Sequence, residues 1–82
     1  MILVDIFVPS IDMNYDFQLN DTVPVSQVIE EIAQMIEQKE HMKVMGDIRN
    51  LMLCNRYTNE ILNPGISLRE NEVKSGYSLM LV

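Results

Sequence analysis

The sequence predicts an α+β fold: a small mixed sheet, four- to five-stranded, packed on one amphipathic helix. Three observations carry that prediction. Residues 15–20 alternate apolar and polar, as a half-buried strand does. Residues 25–36 repeat apolar side chains at helical spacing. The apolar runs 2–8 and 77–82 have the Val, Ile and Leu content of central, buried strands.

Residues 2–8 form the first strand. Asp5 should face water, and the two-residue period then turns Val4, Ile6 and Val8 inward and Leu3, Asp5 and Phe7 outward. Residues 9–14, Pro-Ser-Ile-Asp-Met-Asn, are turn chemistry, since Pro lacks a ladder donor and Asp and Asn make local side-chain turns. The second strand covers 15–20, with Tyr15, Phe17 and Leu19 on its buried face and Asp16, Gln18 and Asn20 on the wet one. So short a connection makes the two strands an antiparallel hairpin.

Asn20, Asp21 and Thr22 offer helix-capping side chains, and Pro24 suits a first helical turn, where its missing N–H is not needed. Val25, Val28, Ile29, Ile32, Met35 and Ile36 then draw one apolar stripe on a helix covering about 24–40. Gln27, Glu30, Glu31, Gln34, Glu37 and Gln38 fill its other face. Lys39 and Lys43 lie toward its C-terminal end, as the macrodipole favours, and Gly46 closes the loop that follows.

A third strand is predicted over 48–54, followed by a polar turn and a brief apolar return at Ile61 and Leu62. Asn63-Pro64-Gly65 is a turn signal, with Pro fixing φ and Gly free to take a positive one. Ser67 stands three residues before Glu70 and predicts one capped helical turn. Lys74-Ser75-Gly76 leads into the last strand, 77–82, with Tyr77, Leu79 and Leu81 on one face and Ser78, Met80 and Val82 on the other. The simplest sheet places the first and last strands side by side and parallel in its centre, which is the β-grasp arrangement.

The 82 residues are read as a single domain over 1–82. A chain this short buries only roughly 60% of the surface it exposes when unfolded, so the core must claim most of the 48% hydrophobic residues. The net charge of −6 and the scattered cations argue against nucleic acid and against an anionic membrane surface. No apolar stretch approaches the ~20 residues of a membrane span, and the N-terminus lacks a signal-peptide pattern, so a cytoplasmic protein without membrane insertion is expected. Cys54, the one cysteine, reads as a small buried apolar residue of a reducing compartment.

No catalytic constellation or cofactor motif is apparent. The neighbouring carboxylates Glu30 and Glu31, and likewise Glu70 and Glu72, fall in solvent-facing patterns. His41 reads as an exposed residue after the helix, and one His with one Cys cannot furnish a metal site or an iron–sulfur cluster. The glycines at 46, 65 and 76 stand too far apart for a phosphate-binding loop.

The order of elements and the closing segment resemble ubiquitin. Leu51-Met52-Leu53, a polar turn, Ile61-Leu62, a further turn, Ser67-Leu68-Arg69-Glu70, Lys74-Ser75-Gly76 and Leu79-Met80-Leu81-Val82 follow in that order. Leu68, Val73, Gly76, Leu79 and Leu81 match the x-L-x-x-x-x-V/I-x-x-G-x-x-L-x-L run that closes ubiquitin-like folds. Val4-Asp5-Ile6, Tyr15 through Leu19, and Pro24 through Ile29 further resemble the YukD/EsaB group, small bacterial ubiquitin-like proteins associated with type VII (WXG100) secretion. The resemblance implies a ubiquitin-like β-grasp that is not an enzyme, acting as a cytoplasmic accessory or regulatory component. It also implies that the protein is not conjugated, because no Gly-Gly follows Val82.

Two alternatives stand beside that reading: a sulfur carrier or protein modifier, whose chemistry needs the Gly-Gly carboxylate, and an oligomerising scaffold. The candidate interaction face is the set of apolar residues in outward phase, Leu3 and Phe7 on the first strand, Met52 on the third, and Met80 and Val82 on the last. These are either one contiguous binding patch for a protein partner or a second copy of the chain, or merely scattered exposed apolar residues. Methionine adapts its shape to a partner readily.

Overall fold

The computed structural model describes residues 1–41 and 47–82. Its elements are strand β1 (Ile2–Val8), strand β2 (Met13–Leu19), helix α1 (Val25–Glu40), strand β3 (Leu53–Asn55) and strand β4 (Ser78–Leu81), with 3-10 turns at Pro9–Ile11 and Ile48–Asn50. The sheet order is β2-β1-β4-β3. β1 and β4 are parallel at its centre, with Ile6 beside Leu79 and Phe7 beside Met80. β2 is antiparallel to β1 and β3 antiparallel to β4. The expected β-grasp is therefore the observed one.

Alternation in β1 and the stripe on α1 meet in one core. Val4, Ile6 and Val8 of β1, Leu79 and Leu81 of β4, and Val25, Val28, Ile32 and Ile36 of α1 are all essentially inaccessible. Removing each such side chain from water stabilises the fold by roughly 1.5–3 kcal/mol. Ala33 joins the buried stripe, whereas Met35 and Phe17 are only partly buried. Tyr15 ties β2 to the end of α1. Its hydroxyl donates to Glu40 Oε1 at 2.9 Å, its ring stacks on Phe17 at 5.6 Å, and the Lys39 ammonium lies 5.4 Å from its centroid. Burial, aided by the Glu40 carboxylate, pushes the Tyr15 phenol above its ordinary value.

Four local expectations need correction. First, Asn20, Asp21 and Thr22 do not cap α1. Asn20 Oδ1 instead accepts from the Thr22 N–H and hydroxyl, while Asp21 turns toward Arg69. The helix N-terminus is capped by a distant backbone segment, Val25 N–H donating to Ile66 O at 2.9 Å and Ser26 N–H to Pro64 O at 3.1 Å. Pro24 accordingly stands at the N-cap rather than in the first turn.

Second, residues 48–50 are a 3-10 turn, not strand. The Asp47 carboxylate accepts from the Arg49 N–H at 2.9 Å, a local bond that competes with a ladder. Strand β3 is limited to Leu53–Asn55, although Met52 and Val82 still exchange both backbone hydrogen bonds, at 2.7 and 2.9 Å. Third, β2 runs from Met13 to Leu19, leaving Asn20 outside, because the turn at Pro9–Ile11 is tight enough for Met13 to pair with Val8. The brief return at Ile61 and Leu62 is a single bridge to Cys54 plus one bond from Leu62 N–H to Leu53 O, so among the described residues the four- to five-stranded sheet expected has four strands.

Fourth, the positive φ does not fall on Gly65. Asp12, His41, Asn59 and Glu72 take left-handed conformations, as does Gly76 at +91°. His41 is the exposed residue that ends α1, its N–H donating to Glu37 O. The Ser67 and Glu70 expectation is met by a reciprocal capping box: Glu70 N–H donates to Ser67 Oγ at 3.0 Å and Ser67 N–H to Glu70 Oε1 at 3.2 Å. The expectations for Lys43 and Gly46 lie outside the described residues.

Candidate protein-interaction face

The sheet face turned away from α1 is organised in cross-strand rows. One row is apolar. Phe7 pairs in register with Met80, Met80 with Cys54, and Cys54 with Ile61. Beyond it Met52 and Val82 face each other as a bonded pair, 43% and 38% exposed. The structure thus brings Phe7, Met80, Met52 and Val82 together.

Leu3 is not with them. It lies four residues from Phe7 along β1, about 13 Å at ~3.3 Å per residue, and its backbone is held by Ser75 and Gly76.

Between Leu3 and Phe7 runs a polar row. Asp5 pairs with Ser78, and Arg56 N–H donates to Ser78 O at 3.2 Å. Asp5 Oδ2 accepts from Ser78 Oγ at 3.3 Å and lies 3.8 Å from the Arg56 guanidinium. That guanidinium covers the Phe7 ring at 4.9 Å from its centroid. Phe7 is therefore roofed by a cation, which leaves it only partly exposed.

Two residues of this face escaped the sequence reading, Arg56 and Ile61. Arg56 was assigned to a polar turn; the signal for it was Asp5, a lone carboxylate in an apolar strand that needs a cation across the sheet. Ile61 is 59% exposed and belongs to the face through its bridge to Cys54. Cys54 itself is buried within the row. Chemically the face offers adaptable apolar surface around one fixed guanidinium, the composition of a contact site.

A paired carboxylate of another kind lies elsewhere. Asp21 sits between the β2–α1 connection and the 67–71 turn, with Oδ2 accepting from Arg69 at 3.1 and 3.2 Å and Oδ1 3.3 Å from the N-terminal ammonium. Burial works against its charged form, but its own backbone N–H, Arg69 and the N-terminus outweigh burial and hold the carboxyl below its ordinary value. Its partners are structural ones, joining two loops. Among the described residues no group of three or more His, Cys, Asp or Glu side chains is placed to hold a metal ion, and no helix is long and apolar enough to cross a membrane.

No protein-family model and no curated protein matches this chain. Solved structures do match. The EccD5 ubiquitin-like domain from Mycobacterium xenopi is 23% identical, with a TM-score of 0.76 over 99% of this chain and 91% of that one. A chain of an ESX-5 inner membrane complex lacking MycP5 is 16% identical, with a TM-score of 0.77 over 99% of this chain but 20% of that one. A designed protein based on human erythrocytic ubiquitin is 18% identical, with a TM-score of 0.74 over 100% of this chain and 90% of that one. Together with the β2-β1-β4-β3 order and the helix on one face, these matches assign the chain the ubiquitin-like β-grasp fold.

Proposed function

We propose that residues 1–82 act as one non-enzymatic protein-binding unit, a cytoplasmic accessory or regulatory component of a bacterial type VII-like secretion system of the YukD/EsaB kind. The observation that carries this reading is the near end-to-end likeness to the EccD5 ubiquitin-like domain, and the likeness to part of an ESX-5 inner membrane complex supports it. Binding proceeds by docking the outward sheet face, Phe7, Met52, Met80 and Val82 around Arg56, onto a larger protein. Leu3 stands apart from that cluster and contributes at its margin.

The test is affinity purification of the tagged protein from its native host in mild detergent, with mass spectrometry of what accompanies it. Recovery of a membrane component of the secretion machinery, lost with Met80→Glu, is the expected result. Repeated purifications that yield no secretion component would sink the reading. Self-association through the same face is the competing outcome. It appears as a dimer mass in light scattering that returns to monomer in Met52→Glu, and an unchanged mass removes it.

A further inference from the structure

A second apolar surface lies between α1 and the margin of the sheet where Ile61 bridges to β3. Ile29 of α1, with Leu51 and Leu62, is buried at its base, and the exposed side chains of Met52, Ile61 and Pro64 form its walls. The cavity has a volume of about 210 Å³. Small-molecule sites run to ~300–1,000 Å³, so this groove is sized for one or two side chains.

Its rim is acidic. Glu30 is exposed and forms no ion pair among the described residues. Among the described residues the lining's one cation, Arg49, is engaged by Asp47, with contacts of 2.8, 3.0 and 3.2 Å to the two carboxylate oxygens. Glu60 adjoins the wall residue Ile61 in sequence, and the whole chain carries −6. An apolar occupant flanked by cations would bury its side chain and meet uncompensated negative charge, whereas an acidic one would be repelled.

We propose that this groove docks a short peptide segment in which a bulky apolar side chain is flanked by Lys or Arg. The proposal rests on the protein-binding reading above; the groove shares Met52 and Ile61 with the sheet face but not Phe7 or Met80, so Met80→Glu and Glu30→Lys tell the two apart.

The test is a titration of the isotopically labelled protein, followed by amide chemical shifts, with three capped octapeptides. One alternates Lys with Leu and Phe, one carries Glu in place of Lys, and one carries Ser in place of Leu and Phe. The Lys peptide should shift Ser26, Ile29, Glu30, Met52 and Ile61 saturably, and the other two should not. Glu30→Lys should weaken it roughly threefold to tenfold at low salt. Ile61→Ser should weaken it further, with amide dispersion verifying the fold, and Met80→Glu should leave it unchanged. Three results would overturn the proposal: shifts centred on Phe7 and Met80, equal binding of the Glu peptide, or no saturation at millimolar Lys peptide. None of them affects the purification result, which depends on Met80.

Discussion

The first forty residues and the stretch from 47 to 76 contribute to one core but are held in shape by different means. In the first, β1, β2 and α1 repeat their backbone hydrogen bonds residue after residue, and apolar periodicity decides which side faces in. In the second, strand β3 is three residues long, two isolated bridges follow it at Ile61 and Ser67, and the remaining shape rests on separate turn hydrogen bonds, several closed by single side chains. Asn55 Oδ1 accepts from Tyr57 and Thr58, Asn63 Oδ1 from Gly65, and Ser67 and Glu70 cap each other. Where no ladder satisfies the backbone, amide and hydroxyl side chains take its place. Apolar truncation should therefore hurt both regions alike, while loss of a turn-closing polar side chain in the second should cost more than loss of a strand-surface one in the first.

The largest effect tests the shared core. Leu79 in the central strand and Leu68 in the 67–71 turn are both fully buried. Leu79→Ala and Leu68→Ala should each lower stability by about 2–5 kcal/mol in urea unfolding. A Leu68→Ala loss far below that range would mean that the turn packs outside the common core.

Next in size is Asn71→Ala. The Asn71 amide bridges three backbone groups, accepting from Asn63 N–H at 2.9 Å and donating to Asn63 O at 3.1 Å and Ser67 O at 2.8 Å. Its removal leaves the Asn63 N–H without its partner, while Ser67 O keeps the Asn71 N–H at 3.0 Å and Asn63 O the Ile66 N–H at 3.4 Å, and should cost about 1–2 kcal/mol. A polar residue on β2 such as Gln18, exposed beside Leu3, is the control: Gln18→Ala should stay within about 0.5 kcal/mol. Equal losses at both positions would erase the contrast between the regions.

Legibility in the sequence follows the same division. Periodicity located β1, β2, α1 and β4 within a few residues and set their inward faces, because a ladder or a helix imposes one period on many side chains. The 3-10 turn at Ile48–Asn50 and the short β3 were not legible, since the Asp47 side chain decides that geometry locally against an apolar run that reads as strand. The cap on α1 was invisible for another reason: its acceptors, Pro64 and Ile66, lie some forty residues away. On the candidate face, strand phase found Phe7, Met52, Met80 and Val82. It could not foresee that Arg56 covers Phe7 and pairs with Asp5, both being cross-strand facts.

A smaller effect concerns the link between the regions. Asp21 joins the β2–α1 connection to Arg69, and its carboxyl is held below the ordinary value of 3.8. A group with a depressed folded pKa contributes stability in full above its unfolded value and loses it as pH falls through the folded one. The urea midpoint of the wild type should thus exceed that of Asp21→Asn by a constant amount at neutral pH. The gap should begin to close near pH 3.8 and shrink further below it. Because Arg69 and the N-terminus are both largely exposed, added salt should narrow the gap as well. A gap independent of pH would assign the effect of the substitution to packing.

The smallest effect separates backbone shape from side-chain bonding within the second region. Glu72 ends the 67–71 turn with φ +62°, its N–H donating to Arg69 O, and the chain turns again at Gly76 with φ +91°. Both positions are left-handed, but only one carries the residue that such a conformation favours. A Cβ placed on Gly76 would meet nothing within 4 Å, so any loss in Gly76→Ala comes from the backbone alone. That variant should lose roughly 1–2 kcal/mol. Glu72→Gly relieves the same conformation but adds freedom to the unfolded chain, and the two oppose each other to leave a gain of about 0.5 kcal/mol. Glu72→Asn tolerates the left-handed region without that added freedom and should gain at least as much. A loss in both Glu72 variants would mean that the Glu side chain, rather than the φ of its backbone, holds the end of this turn.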